Sequence, residues 1–204
     1  MAEKRKGLIV IVSAPSGSGK TTLVNGLIEE TQGITRSVSY TTRAPRDGER
    51  EGDDYIFVTE DVFKEKQGKG LFLECEENFG KFYGTSIEQV REAQAEGNDI
   101  ILSIDVKGAR RVKDIFPESI GIFIMPPSAE ELTKRLKDRK TDDVEQLLLR
   151  IKESKKEIEA AEEYDYMVVN EEIDKAVAEL REIITIERNN LQKQGEDKKD
   201  ERNT

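Results

Sequence analysis

This chain of 204 residues contains no histidine. Acid–base catalysis by imidazole and metal sites built on histidine are therefore excluded. There is a single cysteine, Cys75, so no disulfide can form within the chain, which is typical of proteins in a reducing cytoplasm. We therefore expect a cytoplasmic protein in which Cys75 is a small buried side chain.

The sequence also lacks a long hydrophobic run and an excess of positive charge. Its first apolar run, 8–13, is too short for a signal peptide and far too short to cross a bilayer. The formal net charge of −10 disfavours a nucleic acid or an anionic membrane as a partner. An acidic protein that binds anionic substrates must gather its basic groups locally, so clustered arginines are informative.

The segment 13–22, SAPSGSGKTT, lies between the apolar run 8–13 and a helical pattern. In that context a glycine-rich turn binds phosphate through its backbone N–H groups. Lys20 would then reach the β- and γ-phosphates of a nucleotide, and the Thr21 hydroxyl would bind Mg²⁺. Ala14 replaces the first glycine of the pattern G-x-x-x-x-G-K-[ST], and a turn that only links a strand to a helix is the alternative. The predicted ATP-binding residues of this loop are Ala14, Pro15, Ser16, Gly17, Ser18, Gly19, Lys20, Thr21 and Thr22.

Near-continuous apolar runs alternate with amphipathic helical patterns along most of the chain. The runs are 8–13, 100–105, 120–125 and 166–170, and the helical patterns are 21–31, 107–116, 129–139 and 173–192. Apolar strands that alternate with helices indicate a parallel sheet covered on both faces. The sequence therefore predicts an α/β protein, a three-layer fold of the P-loop NTPase type with a parallel core sheet.

The pattern changes between residues 35 and 85, where short alternating segments lie among glycines and charges. They predict a small mixed α+β lobe inserted into the core, followed by a helix that Gly97 ends. A charged stretch, 137–146, is interpreted as a lid. The predicted single domain has its core at about 7–36, 89–128 and 158–192, the lobe at about 37–88, a helical lid at about 129–157 and a disordered tail at about 195–204.

A second constellation occupies residues 41–58, TTRAPRDGEREGDDYIFV. Arg43 and Arg46 lie three residues apart beside a proline and suit two-sided binding of a phosphate, to which Tyr55 adds a phenolic donor. On physical grounds alone, a solvated charged loop explains the segment equally well. The segment fits T-[ST]-R-x-x-[RK]-x-x-E-x-x-G-x-x-Y-x-F at every specified position, and this pattern resembles the signature of guanylate kinases.

The resemblance spans roughly residues 7 to 190, including FYGT at 82–85, PPS at 126–128 and YDY at 164–166. It implies an ATP:GMP phosphotransferase of purine nucleotide metabolism that transfers the γ-phosphoryl group of Mg-ATP to GMP, and to dGMP. The implied cofactor is Mg²⁺, the implied partners are the small molecules ATP and GMP, and the inserted lobe becomes a GMP-binding lobe.

Matched position by position, the resemblance also implies roles for individual residues. The GMP phosphate is held by Arg43, Arg46, Tyr55 and Tyr83, and guanine is read by Ser39, Glu74, Thr85 and Asp105. The catalytic residues are Lys20, Arg43 and the lid arginines Arg139 and Arg150. Asn170 corresponds to a position near the adenine of ATP.

The assignment of Glu74 to guanine makes chemical sense. Guanine presents two adjacent donors, N1–H and the exocyclic amine, which one carboxylate accepts together, whereas adenine has no such pair. Hydrogen bonds to a charged group contribute about 1.5–3 kcal/mol each, so two of them supply much of the discrimination. The alternative is an exposed carboxylate on a strand.

This chain departs from the family pattern at two places. The family usually has D-[IV]-D-x-Q-G where this chain has SIDVKG at 103–108. Ser103 replaces the first acid, which leaves two roles open for Asp105, recognition of guanine or support of Mg²⁺. Lys140 stands where a glycine commonly follows Arg139, a change that affects how the lid bends.

Two other functions are compatible with this type of fold. One is a catalytically inactive guanylate-kinase-like module that binds phosphorylated proteins, but such a module has little reason to keep Gly19, Lys20, Thr21 and the lid arginines. The other is a kinase for a different small phosphorylated acceptor, against which Glu74 argues.

Overall fold

The structure is a computed structural model that describes residues 6–78, 80–138 and 144–202, with only the backbone described for 138, 144–147 and 194–202. Its strands are β1 (Ile9–Ser13), β2 (Ile34–Arg36), β3 (Tyr40–Thr41), β4 (Ile56–Phe57), β5 (Phe72–Asn78), β6 (Lys81–Ser86), β7 (Asp99–Ser103), β8 (Ile120–Met125) and β9 (Tyr166–Val169). Its helices are α1 (Lys20–Glu30), α2 (Glu60–Gly68), α3 (Ile87–Glu96), α4 (Val106–Ile115), α5 (Ala129–Asp138), α6 (Val144–Glu159) and α7 (Ile173–Arg202), with a 3-10 turn at Ala160–Glu163.

Five parallel strands form the core sheet in the order β2-β7-β1-β8-β9. The central strand β1 is buried over its whole length because both of its faces are covered, which explains its unbroken apolar sequence. The predicted α/β fold with a parallel core sheet is confirmed. The edge strand β2 was not predicted, because it has three residues and only Ile34 is buried.

Alternating side chains of β1 enter two separate hydrophobic clusters. Val10 and Val12 pack with α1 and α7 on one face of the sheet, whereas Ile9 and Ile11 pack with α4 on the other. The sheet is thus the middle of three layers. Its carboxyl edge carries the loops that lead from β1 into α1 and from β7 into α4.

A second, four-stranded sheet forms the lobe between β2 and α3, in the order β4-β3-β6-β5. Pairs β3–β6 and β5–β6 are antiparallel, and β3–β4 is parallel. Helix α2 covers this sheet through Phe63, whose ring stacks on Phe72 at 4.6 Å and on Phe82 at 5.5 Å between centroids. The lobe therefore has a small aromatic core of its own.

Helix boundaries follow local sequence signals where the chain supplies them. The Ser86 hydroxyl caps α3 by accepting from the backbone N–H of Gln89, and Gly97 ends the helix with a φ of 77°.

Helix α7 extends to Arg202 through residues 195–202, for which the sequence favoured disorder. Residues 196, 198, 199, 201 and 202 are glutamate, lysine or arginine, which are good helix formers, although Gly195 and the two aspartates are not. Extending a helix that has already formed avoids the cost of nucleation. Within the described residues, no helix is long and apolar enough to cross a membrane.

A buried ion pair fastens α7 to the amino end of the core sheet. Arg188 donates to the Asp99 carboxylate at 2.7 Å and to the carbonyl of Gln32 at 2.8 Å. Asp99 has no exposed surface and also accepts from the backbone N–H of Leu8 at 2.8 Å. The pair thereby connects β1, β7 and α7.

The substitution Arg188→Ala is expected to lower the free energy of unfolding by about 3 kcal/mol, because it removes the guanidinium that neutralises a fully buried carboxylate. Urea denaturation at neutral pH measures the change. Arg181→Ala is the matched control, because it removes an exposed pair with Glu30 at 3.2 Å on the same helix and should cost less than about 1 kcal/mol. Equal losses in the two variants would show that the buried pair has no special importance.

Candidate active site

The loop between β1 and α1 has the geometry of an anion-binding turn. Gly17 and Gly19 adopt φ angles of 92° and 86°, which other residues rarely adopt. The backbone N–H of Ser18 donates to the carbonyl of Pro15 at 3.1 Å and closes the turn. Helix α1 begins at Lys20, so its positive end and its free N–H groups face the loop.

Lys20 extends from this loop to the end of β7, where its Nζ donates to the carbonyl of Ile104 at 3.1 Å. Burial lowers the pKa of Lys20, and the nearby carboxylates of Asp105, Glu157 and Glu74 act in the opposite direction. A poorly hydrated ammonium of this kind interacts strongly with an incoming anion. The predicted phosphate-binding lysine therefore lies beside acidic side chains from several elements.

Asn170 has a contact that the sequence did not reveal. Its side chain is 4% exposed, and its Nδ2 donates to the carbonyl of Ser18 at 2.7 Å. A Cβ on Gly19 would lie 2.5 Å from the same Nδ2. Asn170 thus stabilises the loop, and its role near adenine stays a prediction.

Glu74 is buried, so the alternative of an exposed strand carboxylate is wrong. It is 6% exposed on β5, and Thr85 on the paired strand β6 donates to it from Oγ1 at 2.5 Å. Burial raises the pKa of Glu74 to about 7, although the hydrogen bond from Thr85 opposes the rise and the charge of Asp105 adds to it. Two predicted guanine-reading residues are therefore in direct contact.

Asp105 connects the core to the lobe. Its Oδ1 accepts from the backbone N–H of Gly108 at 2.9 Å and caps α4, while its Oδ2 accepts from Nδ2 of Asn78 at 2.7 Å. Asn78 ends strand β5, two residues beyond Glu76, which forms an ion pair with Arg111 of α4 at 3.0 Å. No role for Asn78 follows from the sequence, because its partner is distant along the chain.

The two signature arginines differ in how they are held. Arg43 pairs with Glu49 at 2.8 Å, and its guanidinium lies 5.3 Å from the ring centroid of Tyr55. Glu49 also accepts a hydrogen bond from the backbone N–H of Arg46 at 2.7 Å. The side chain of Arg46 is exposed. Burial opposes ionisation of Glu49, but the hydrogen bonds from Arg43 and Arg46 outweigh it and lower its pKa. Tyr83 completes the group, with its ring 6.0 Å from that of Tyr55.

The remaining predicted site residues are more scattered. Ser39 is half-buried beside β3, and its carbonyl accepts from the backbone N–H of Ile56 at 2.9 Å. Thr21 and Thr22 are exposed in the first turn of α1. Arg150 on α6 donates to the Ser16 hydroxyl at 3.5 Å, whereas Arg139 lies outside the described residues.

These contacts link the glycine-rich loop to Asp105 and Glu74. Lys20 reaches the strand end that continues into Asp105, and Asp105 contacts Asn78 of the lobe. Glu74 lies against the first turn of α4, since a Cβ on Gly108 would be 2.8 Å from Oε2 of Glu74. The glycine-rich loop with Lys20 thus lies near the buried carboxylate of Glu74 and the half-buried carboxylate of Asp105.

Comparisons with known proteins show what this chain is similar to. A family model described as guanylate kinase matches residues 6–187. The guanylate kinase of Nitrosospira multiformis is 44% identical over 92% of this chain and 90% of that protein. The guanylate kinase of Neisseria gonorrhoeae is 46% identical over 90% of both chains. A crystal structure of guanylate kinase from Anaplasma phagocytophilum superimposes with a TM-score of 0.77 at 36% identity, covering 91% of this chain and 88% of that one.

The buried Glu74 predicts a pH-dependent stability. Its pKa is higher in the folded protein, at about 7, than the ordinary 4.5 of an unfolded chain. The folded state therefore binds the proton more tightly, and this contribution to stability is present below pH 4.5 and lost as pH rises to about 7. The loss should be about 3 kcal/mol.

The neutral variant Glu74→Gln isolates this effect, because all other titrating groups are shared with the unmodified protein. Urea denaturation between pH 4.5 and 8 should show the variant gaining stability relative to the unmodified protein as pH rises. A difference that does not change with pH would contradict the raised pKa.

Proposed function

This chain belongs to the guanylate kinase family, and we propose how its own residues carry out the transfer of a phosphoryl group from ATP to GMP. It is an ATP:GMP phosphotransferase with these two small molecules as substrates and with ADP and GDP as products. The observation that carries the proposal is that Lys20 donates to the carbonyl of Ile104, the residue before Asp105, while Glu74 lies against the first turn of the helix that Asp105 caps. One cleft thus offers a phosphate-binding loop and acceptors for guanine.

On the ATP side, the loop from Ala14 to Thr22 binds the phosphates. Its backbone N–H groups and the positive end of α1 favour an anion, and the ammonium of Lys20 neutralises the β- and γ-phosphates. The hydrogen bond from Asn170 to the Ser18 carbonyl supports this role, because it holds the loop in shape before the nucleotide arrives.

On the GMP side, guanine is read by Glu74, with Thr85, Ser39 and Asp105 around it. Thr85 orients the Glu74 carboxylate, and Asp105 is oriented by Asn78 and by the first turn of α4. The two donors of guanine favour ionised Glu74, so binding of GMP lowers the pKa that burial raised. A base without this donor pair does not offset the cost of ionising the buried Glu74, which penalises its binding.

The GMP phosphate is bound by Arg43, Arg46, Tyr55 and Tyr83. The guanidinium of Arg43 is already oriented by Glu49 and by the ring of Tyr55, which reduces the entropy lost on binding. The exposed side chain of Arg46 is available to approach the phosphate from the other side. Glu49 therefore acts by orienting the arginines, and the phosphate itself is bound by the guanidinium and phenol groups.

The proposal includes Mg²⁺ bound together with ATP. Among the described residues, no cluster of three or more acidic or cysteine side chains is placed to hold a metal. This fits a Mg²⁺ ion that takes most of its oxygen ligands from phosphates and water, with one protein hydroxyl, here the exposed Thr21. When bound, the ion neutralises charge on the β- and γ-phosphates.

Catalysis needs alignment and charge neutralisation and no covalent intermediate. The GMP phosphate oxygen is already nucleophilic, so the protein must bring two polyanions together in line. Lys20, Arg43, Arg139 and Arg150 offset their repulsion and stabilise the transition state. Closure of the lobe and lid excludes water, which would otherwise hydrolyse ATP.

An inactive phosphoprotein-binding module is not favoured, because the complete Gly-Lys-Thr loop is retained with Lys20 directed into the cleft. Use of dGMP and a cytoplasmic location are further parts of the proposal, the latter supported by the single cysteine.

The test of function is release of ADP from ATP in the presence of GMP, dGMP, AMP, CMP or UMP. Turnover with GMP and not with AMP is expected, and comparable rates with all five would refute the proposal.

The substitution Lys20→Met should abolish turnover while binding of GMP is retained, because Lys20 addresses the ATP phosphates and the GMP phosphate is held in the lobe. Steady-state kinetics and calorimetric titration with GMP alone measure the two effects. Near-normal turnover in the variant would rule out the phosphate-binding role of this loop.

Phosphate binding and base recognition should be separable by mutation. Arg43→Ala should weaken GMP and AMP by the same factor, because both carry the phosphate. Glu74→Gln should weaken GMP by about tenfold or more and leave AMP nearly unchanged, because an amide accepts less well and adds competing donors. Calorimetric titrations with each nucleotide measure the ratios, and an unchanged GMP/AMP ratio in Glu74→Gln would exclude Glu74 as a guanine reader.

A further inference from the structure

Strand β5 of the lobe turns one side towards helix α4 of the core. Glu74, Glu76 and Asn78 alternate along the strand, so their side chains lie on the same side of it. Each of the three contacts helix α4 or its capping residue Asp105. The junction between lobe and core is therefore built from three successive side chains on one face of a single strand.

Arg111 of α4 makes two contacts with this strand. Its Nη1 donates to the carbonyl of Cys75 at 2.9 Å, and its Nη2 lies 3.0 Å from Oε1 of Glu76. These are the two residues that follow Glu74 in the sequence. The side chain of Glu76 is only 11% exposed, so water screens this ion pair weakly. One guanidinium thus holds both the backbone and a side chain of the strand directly after Glu74.

The position of Glu74 relative to Asp105 depends on how the strand is attached. Both carboxylates approach Gly108 in the first turn of α4. Asp105 accepts from its backbone N–H at 2.9 Å, and a Cβ on Gly108 would lie 2.8 Å from Oε2 of Glu74. Glu74 belongs to the lobe, whereas Asp105 belongs to the core. A movement of β5 away from α4 would therefore separate two of the residues proposed to read guanine.

We propose that Arg111 is a positioning residue for guanine recognition, which holds β5 against α4 and so keeps Glu74 next to Gly108 and Asp105 before GMP enters. This inference deepens the proposed function and rests on it. Arg111 lies outside both the glycine-rich loop and the signature segment. It acts on the strand that carries Glu74, so it needs no contact with the nucleotide.

An attachment of this kind suits a site whose parts come from two bodies of the protein. Acceptors that are already in place spare the entropy that guanine would otherwise lose in ordering the strand. The planar guanidinium presents several donors in a fixed fork, so it binds a carbonyl and a carboxylate together, which suits lysine less well. The hydrogen bond from Asn78 to Asp105 at 2.7 Å acts in the same direction from the end of the strand.

Calorimetric titration of the full chain with GMP or AMP alone tests the proposal. Arg111→Ala should raise the Kd of GMP by about tenfold, because guanine must then order the strand itself. The Kd of AMP should stay within about twofold. The groups proposed to bind the phosphate, Arg43, Tyr55 and Tyr83, all belong to the lobe and move with it. Equal weakening of GMP and AMP would indicate general damage to the lobe and overturn the proposal.

Two further variants and a kinetic measurement separate positioning from a structural role. Arg110→Ala is the matched control, because Arg110 is exposed to a similar extent on the same helix but binds Glu163 within the core at 2.6 Å. It should leave both Kd values unchanged. Arg111→Lys keeps a charge opposite Glu76 and should weaken GMP by only about threefold. In steady state, Arg111→Ala should raise the KM for GMP and leave kcat within about twofold. A loss in Arg110→Ala equal to that in Arg111→Ala would refute the proposal.

The attachment can also be measured without any nucleotide. Nitroxide labels at two exposed positions, Asp61→Cys on α2 and Glu179→Cys on α7, report the distance between lobe and core by pulsed electron paramagnetic resonance in a Cys75→Ser background. Arg111→Ala should lengthen and broaden this distance, and Arg110→Ala should not. An unchanged distribution in Arg111→Ala would refute the attachment. An unmodified protein that formed no ADP with GMP would refute the proposed function, and the label distances would still decide whether Arg111 holds the lobe.

Discussion

The structure depends on the placement of one poorly hydrated ammonium. Burial disfavours the charged form of Lys20, and the carboxylates that oppose this effect come from three directions. Asp105 begins α4, Glu157 lies on α6, and Glu74 belongs to the lobe. Electrostatic interactions with Lys20 therefore link the core, helix α6 and the lobe to the glycine-rich loop.

Burial of Glu74 lowers the stability of the protein at neutral pH when no ligand is bound. Glu74 is buried beside Asp105, and ionising it there is unfavourable, as its raised pKa shows. Arg43 is similarly held by Glu49 in advance of any phosphate. Groups kept in unfavourable or restrained states before the ligand arrives are typical of functional sites, where stability is exchanged for recognition. The restraint contrasts with the pair between Asp99 and Arg188, which lies at the opposite edge of the sheet and only stabilises the fold.

Much of this arrangement could be predicted from local patterns. The unbroken apolar runs predicted the parallel core sheet, because a strand buried on both faces has no polar side. The loop at 13–22 and the signature at 41–58 predicted the nucleotide chemistry, and the family was confirmed by the comparisons. The short strand β2 and helix α2 left too weak a periodicity to detect. The contact of Asn78 with Asp105 had no local signal at all.

By itself, the sequence determined the glycine-rich turn, the positions of the arginines and the alternation that builds the sheet. Each of these is a property of residues within a few positions of one another, governed by backbone freedom and hydrophobic periodicity. Only the tertiary structure decided which polar groups that are distant along the chain form hydrogen bonds. Asn78 lies beside Asp105, and Asn170 lies beside Ser18. Hydrogen bonds act over about 3 Å, so partners that are distant along the chain become identifiable only when the fold has brought them together.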